Sequence, residues 1–265
     1  FALTMSHLAP PGPPLPYPHA PRVNPHAEEK IARVSGADLD LFEHSLTLEI
    51  RGTEDERNRA KKYVECVMAQ RVGPVHIEED DGFGSLNTAL FADGAIVRFS
   101  GEIDSESPVH LLFVTTEHEH PTLTSPRVLV IAEKFSKSVL IESHIGLETG
   151  VQFSNAVTEV IVEEGASLSH YRILEKGHES FHIGTIRVRQ EKDSSYTSMS
   201  FAFGARIGRD DLHVLLDGPG SECTLNGLYM TSETDHLDNH ISLTHAKPHA
   251  TSKQLYKGIL TGKSK

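Results

Sequence analysis

Histidine is the residue type with the most obvious chemical potential in this sequence, which contains 17 His among 265 residues. On a β-strand, residues i and i+4 share a face, so His236 and His240 would point together, with Asp238 between them. Two imidazoles and a carboxylate could bind Zn or Fe(II). The same residue types also suit turns, outward faces and interfaces, which is the favoured interpretation. The other groups are Glu117–His120, His178 with His182, and His245–His249.

The sequence lacks the motifs that are typical of nucleophilic catalysis and of phosphate binding. A Gly-x-Ser-x-Gly elbow is absent, and the glycine-containing segments 204–209 and 217–221 lack the Lys-Ser/Thr ending and following helix of a phosphate-binding loop. The two cysteines, Cys66 and Cys223, cannot form a disulfide framework, and the lack of Cys-x-x-Cys excludes a tetrathiolate site within the chain. We therefore predict no catalytic, cofactor-binding or metal-binding residue.

The net charge and the hydropathy of the sequence restrict the classes of partner that the protein is expected to bind. The formal net charge is −12 and the pI is near 5.8. A negative protein does not attract a polyanion in bulk, so nucleic acid and anionic membranes are not expected as partners. No apolar run approaches the roughly 18 residues that a membrane helix needs.

Composition divides the chain into three parts. Residues 1–30 hold eight of the 14 prolines and are predicted to form an extended arm or linker. Residues 31–84 are predicted to form a mixed region with a helix over Thr53–Gln70, in which Cys66 is a semi-buried residue. Residues 85–265 change character, since helical periodicity stops and short β-branched runs alternate with turn residues.

Strand-like runs after residue 125 recur with a period of about 28 residues. Two series of strand centres advance together over five units, which indicates a stacked repeat in which each unit buries its inward face against its neighbours. The first series is Val130, Val160, Ile186, Val214 and Ile241, and the second is Val139, Leu168, Tyr196, Cys223 and Ser252.

This repeat predicts a mainly β fold, a right-handed parallel β-helix with a small N-terminal α-containing region. Cys223 would fill the core of this coil. The competing fold is an antiparallel sandwich or jelly roll, against which the scarcity of two-residue hairpin turns argues. Because polysaccharide lyases also use β-helices with acidic grooves, Asp210, Asp211 and Asp217 make a carbohydrate-active lyase or hydrolase the alternative function.

Several segments in this order and spacing resemble the SufB/SufD family, and SufD members more than SufB members. The resemblance covers the chain from about residue 85 to the end. The segments are Leu86–Gly94, Pro108–Phe113, Pro126–Glu133, Leu225–Tyr229 and Ser252–Leu260.

This resemblance implies a right-handed parallel β-helix and a non-enzymatic scaffold subunit for iron–sulfur cluster assembly. Its implied partners are a SufB-like subunit and a SufC-like ATPase, with a homodimer as the alternative when the chain is alone. It implies that this chain alone binds no cofactor and that an iron–sulfur cluster belongs to the complex. The implied compartment is the cytoplasm, with the plastid stroma as the alternative.

The sequence departs from the family pattern after the Ser252–Leu260 segment. Family members continue there with more β-helix and a C-terminal helical domain. That part of the family holds the ATPase-docking surface and the His and Cys implicated at the SufB–SufD interface. We therefore expect a truncated SufD-like chain, whose last turn is covered by further sequence or by a partner, and we transfer no functional residue from the family.

Overall fold

The computed structural model describes residues 82–91, 94–101, 108–116, 121–147 and 150–265, and the backbone of three short strands nearer the N-terminus. The predicted helix Thr53–Gln70, Cys66 and the Glu117–His120 group lie outside the described residues, as does most of the predicted arm. The proposed division at residues 30 and 84 therefore stays a prediction.

The described residues form one helix and 16 strands. The helix, α1, spans Gly82–Leu90 and extends past residue 85, where the sequence analysis expected helical structure to end. The strands are β1 Ala2–His7, β2 Arg33–Val34, β3 Leu48–Glu49, β4 Gly94–Phe99, β5 Val109–Thr115, β6 Thr122–Thr124, β7 Arg127–Ala132, β8 Lys137–Gly146, β9 Gln152–Val162, β10 Ser167–Glu175, β11 Phe181–Gln190, β12 Ser195–Phe203, β13 Ile207–Leu216, β14 Glu222–Thr231, β15 His236–His245 and β16 Thr251–Leu260.

Most strands belong to two seven-stranded sheets whose members alternate along the chain. Sheet 1 has the order β1-β5-β8-β10-β12-β14-β16, and sheet 2 has the order β15-β13-β11-β9-β7-β4, with β6 also paired to β9. Except for β1 against β5, every pairing within these sheets is parallel. The chain is therefore a parallel β-helix of about five turns, as predicted, and not an antiparallel sandwich or jelly roll.

The register follows from alternation along each strand. Leu168 pairs with Tyr196, which pairs with Cys223, so one inward position is stacked turn upon turn. Facing it, Val160 of sheet 2 pairs with Val188. These inward side chains form one apolar core that runs along the coil and contains Cys223, as the sequence predicted.

One corner of each turn uses the same unusual backbone conformation. The residue two positions before each strand of sheet 1 has a positive φ in five consecutive turns, a conformation that glycine adopts with least strain. Two of the five are glycines, and a Cβ atom on Gly165 would lie 2.5 Å from the ring of Phe135 in the previous turn. The five residues are Phe135, Gly165, Asp193, Gly220 and His249. The repeated corner keeps successive turns in register.

Helix α1 covers part of the outward face of sheet 2. The buried Asn87 donates from Nδ2 to the carbonyl oxygens of Pro126 at 2.9 Å and Asn155 at 2.8 Å. Beside it, Arg127 forms a buried ion pair with Glu159, with Nη2 and Oε2 3.1 Å apart. The helix is therefore docked by polar contacts that satisfy backbone groups of the coil.

Candidate functional site

The interior of the coil changes from apolar to ionic towards the carboxyl ends of β8, β10 and β12. At one inward register position, Glu142 pairs with Arg172, and Arg172 pairs with Ser200. Strands in a sheet lie about 4.8 Å apart, so these side chains form a column along the coil axis. Glu142 is 4% exposed and Arg172 is 7% exposed. Buried charges require close partners, which makes this column the most unusual feature of the core.

Glu142 is the centre of the buried polar cluster. Its Oε1 accepts a hydrogen bond from Thr158 Oγ1 at 2.9 Å and lies 2.9 Å from His144 Nε2. Its Oε2 lies 3.1 Å from His170 Nε2. Burial acts to raise the pKa of this carboxyl, but the hydrogen bonds and charges of His144 and His170 outweigh it and hold the pKa well below its usual range. Glu142 is therefore a stable buried carboxylate.

Arg172 connects the two sheets through the interior. Its Nη1 donates to Asp210 Oδ2 of sheet 2 at 2.8 Å, and its Nε donates to Ser198 Oγ at 3.3 Å. Asp210 is itself largely buried, with a side chain 15% exposed. The pair neutralises both charges inside the coil and joins β10 to β13 across the core.

A small pocket lies between these groups. It is lined by Glu142, His144, Arg172, His182 and Asp210, among others. The rings of His144 and His182 have centroids 4.8 Å apart, and His144 Nδ1 is buried without a hydrogen-bond partner.

Glycine at position 184 keeps the pocket open. A Cβ atom there would lie 2.8 Å from Asp210 Oδ1 and 3.1 Å from His182 Nε2. Burial, with the nearby charges of His144 and Lys176, lowers the pKa of His182 well below its usual value, so this ring is neutral.

Lys176 follows β10 and buries its side chain, with 7% exposed. Its Nζ donates to Thr115 Oγ1 of β5. Burial lowers the pKa of Lys176 from 10.5 to about 7. The ammonium therefore loses its proton near neutral pH, unlike an ordinary surface lysine.

The three aspartates of the carbohydrate hypothesis do not form an acidic groove. Asp210 lies in the interior against Arg172, while Asp211 and Asp217 are paired with Arg209 and Arg189 at 2.8 Å. A glycoside hydrolase needs a free carboxyl pair facing a sugar. Each of these carboxylates forms an ion pair with a guanidinium group, which disfavours the lyase or hydrolase interpretation.

The predicted histidine groups are only partly brought together. On β15, Asp238 Oδ2 contacts Arg209 Nη1 at 3.0 Å, and His240 Nδ1 lies 3.0 Å from Asp211 Oδ1 of the neighbouring strand. His178 is half exposed and contacts Asp235 Oδ1 at 2.9 Å, whereas His182 is buried. Sequence proximity therefore did not identify the contacts of these residues.

The glycine-containing segments have the structure expected of coil connections. Residues 204–206 lead into β13 and residues 207–209 are its first three residues, while residues 217–221 lead into β14. Neither is followed by a helix, so neither forms the strand–loop–helix unit that holds a phosphate.

Cys223 is 2% exposed within the apolar core, and burial raises the pKa of its thiol to about 12. The thiolate is the reactive form, so Cys223 should be inert in the folded protein. In a Cys66→Ala variant, which leaves one cysteine, we expect a thiol reagent to label Cys223 only as denaturant unfolds the coil. Labelling as fast as that of a free thiol in native buffer would contradict this placement.

The central residues of the polar cluster were not predicted from the sequence. Glu142 lies two residues after the core residue Leu140 and therefore shares its strand face. Arg172 occurs 30 residues after Glu142, one turn later. Opposite charges separated by one repeat on an apolar face are the signal that could have identified the cluster.

Comparison with known proteins places the chain in a family. Residues 113–265 match the family profile described as SUF system FeS cluster assembly, SufBD core domain. The matched segment begins in β5 and contains both parallel sheets from that point onward. Within the described residues, no helix is long and apolar enough to cross a membrane.

Individual relatives agree with this match. The chain is 29% identical over 186 residues to an iron–sulfur cluster assembly SufBD family protein of Synechocystis sp., covering 67% of this chain and 41% of the relative. It is 28% identical over 195 residues to protein ABCI7, chloroplastic, of Arabidopsis thaliana, covering 71% and 41%. It is 25% identical over 130 residues to the iron–sulfur cluster assembly protein SufD of Escherichia coli, covering 49% and 31%.

The chain thus spans about two fifths of the length of the first two relatives. The profile match extends over more than half of the chain, and its residues are those that build the stacked turns. The chain belongs to the SufBD core domain family of the SUF system for iron–sulfur cluster assembly.

Proposed function

We propose that this chain is the core of a SufD-like scaffold subunit in a SufBCD-type complex that assembles iron–sulfur clusters. The observation that carries the proposal is the match of residues 113–265 to the SufBD core domain, which coincides with two continuous parallel sheets. In this proposal the chain is not an enzyme. A SufC-like ATPase supplies free energy, and the cluster belongs to the complex.

The names of two relatives support a SufD-like role, and Cys223 is not placed to bind a cluster. Among the described residues, Cys223 is the one cysteine, and it lies in the apolar core with its pKa raised to about 12. Such a thiol cannot present a thiolate to iron. A SufB-like partner would supply the thiolates instead. Two relatives, of E. coli and Plasmodium falciparum, also carry the name SufD.

The ionic interior suits a scaffold. Glu142, Arg172 and Asp210 connect neighbouring turns and opposite sheets, so they fix the relative position of the strands. A rigid coil presents its outer surface to partners with little loss of conformational entropy on binding. The proposed compartment is the cytoplasm or the plastid stroma, where the ATPase and the other subunit would be found.

Co-purification tests the proposal. The tagged chain is expressed with SufB-like and SufC-like subunits from the same source, and we expect it to retain the SufB-like subunit and, through that subunit, the SufC-like ATPase. A matched variant, Val160→Asp, places a charge in the apolar core and should abolish capture by unfolding the coil. Failure of the folded chain to retain either subunit, or turnover of a polysaccharide by the chain alone, would contradict the proposal.

A further inference from the structure

Three potential metal ligands meet on the outward face of sheet 2, away from the ionic interior. Asp211 and His213 are two residues apart on β13 and therefore share a face, while the neighbouring Leu212 and Val214 point into the core. His240 lies on β15, directly opposite Asp211 in the parallel register. The stacking of two turns thus brings together residues 29 positions apart.

The distances suit a metal ion. One ligand atom from each of Asp211, His213 and His240 lies within 4.8 Å of the others. Asp211 Oδ1 and His240 Nδ1 are 3.0 Å apart. Two ligands that are each about 2.0–2.2 Å from a zinc ion are separated by roughly 3 Å, so this pair needs almost no movement to bind one. The His213 ring packs edge-on against His240, with centroids 6.1 Å apart.

We propose that Asp211, His213 and His240 form a surface site for a divalent transition metal ion such as Zn²⁺ or Fe²⁺. Two imidazole nitrogens and one carboxylate oxygen favour these ions over Mg²⁺ and Ca²⁺, which prefer all-oxygen coordination. Three protein ligands on one side leave further coordination positions open to water or a ligand. This site differs from the sequence-based group, because Asp211 and His213 take the places of Asp238 and His236.

Arg209 competes with the metal for the carboxylate. Its Nε and Nη2 donate to Asp211 Oδ2 and Oδ1, each at 2.8 Å, and its Nη1 contacts Asp238. A carboxylate offers about four lone-pair positions, two on each oxygen. Asp211 Oδ1 can therefore accept from Arg209 Nη2 with one lone pair and reach a metal with the one that faces His240. The guanidinium charge nevertheless opposes a cation, and removing it should strengthen metal binding.

Metal titration tests this site independently of the proposed function. The chain is stripped with a chelator and titrated with Zn²⁺ and Co²⁺ by calorimetry, with Co²⁺ absorption reporting the coordination. We expect one equivalent whose affinity falls at least about tenfold in His213→Ala and in His240→Ala. Arg209→Gln should bind the metal more tightly than the unaltered chain.

His236→Ala is the matched control, since His236 is an exposed residue of the same strand outside the cluster. It should bind Zn²⁺ as the unaltered chain does, and all variants should keep the same circular dichroism spectrum. Equal affinity and stoichiometry in His213→Ala, His240→Ala and the control would overturn the proposal. So would binding of Mg²⁺ as tight as that of Zn²⁺.

Discussion

Replacement of Glu142 by alanine is expected to lower the free energy of unfolding by about 3–5 kcal/mol, because it removes one partner from a buried charged network. His144 and His170 would lose the carboxylate that lies within about 3 Å of both rings, and the Thr158 hydroxyl would lose its acceptor. Chemical denaturation followed by far-ultraviolet circular dichroism measures the change.

Two further variants make the Glu142 result interpretable. Glu142→Gln keeps the shape and an acceptor oxygen but removes the charge, so its destabilisation should be smaller than that of Glu142→Ala. Glu222→Gln changes an exposed carboxylate at the start of β14 and should leave stability within about 0.5 kcal/mol. If Glu142→Ala unfolded at the same denaturant concentration as Glu222→Gln, the buried network would contribute little to the fold.

The sequence predicted the architecture because one physical pattern dominates it. Leu168, Tyr196, Cys223 and Ser252, chosen as corresponding positions one repeat apart, are direct register partners in the structure. Val139, the first member of that series, was placed wrongly by one residue, because Leu168 pairs with Ser138 and Val139 lies on the opposite face of β8. Ile186 was predicted to correspond to Val160 one repeat earlier, but it pairs with Thr158, two residues before Val160. A shift of two residues keeps a side chain on the same face, so alternation alone cannot detect it.

The interior site was not predictable in the same way. Arg172 and Asp210 lie on opposite sheets and are 38 residues apart in the sequence. This separation is not a multiple of the repeat length. Prediction of their contact requires the separation of the two sheets, which depends on the packing of all inward side chains. The contact of Lys176 with Thr115, 61 residues earlier, instead runs along sheet 1 over Gly146 of the intervening turn, which pairs with Thr115. Repetition specifies neighbours along the coil axis, whereas contacts across the coil depend on its cross-section.

The inward side chains form separate apolar and ionic columns, and this separation explains how the coil can be stable although part of its interior is charged. Apolar columns such as Val160 and Val188 run beside the ionic column of Glu142 and Arg172. The apolar columns supply most of the burial free energy, while the ion pairs disfavour any register that would leave a charge unpaired. A fixed register is the property that a scaffold requires, since binding surfaces on the outside follow the positions of the strands.

Replacement of Lys176 by methionine is expected to stabilise the protein at pH 7 by roughly 1–4 kcal/mol, because a buried ionisable group is exchanged for an apolar one of similar length. The pKa of Lys176 is about 7 in the folded protein, against 10.5 for a lysine surrounded by water, as in the unfolded chain. Between these values the unfolded chain binds a proton that the folded chain does not. The stability of the unaltered protein should therefore rise with pH across this window relative to Lys176→Met.

Denaturation of both proteins at pH 7 and at pH 10 measures this difference, and other titrating groups cancel because both proteins contain them. The advantage of Lys176→Met should shrink as the pH rises, since above 10.5 the lysine is neutral in both states. Lys192→Met is the control, because Lys192 is exposed and its pKa is raised by Asp193 and Glu164. It should show no stabilisation at pH 7. A stability difference for Lys176→Met that stays constant from pH 7 to pH 10 would mean that Lys176 keeps its proton in the folded coil, and the ionic interior would then hold one more positive charge than its geometry indicates.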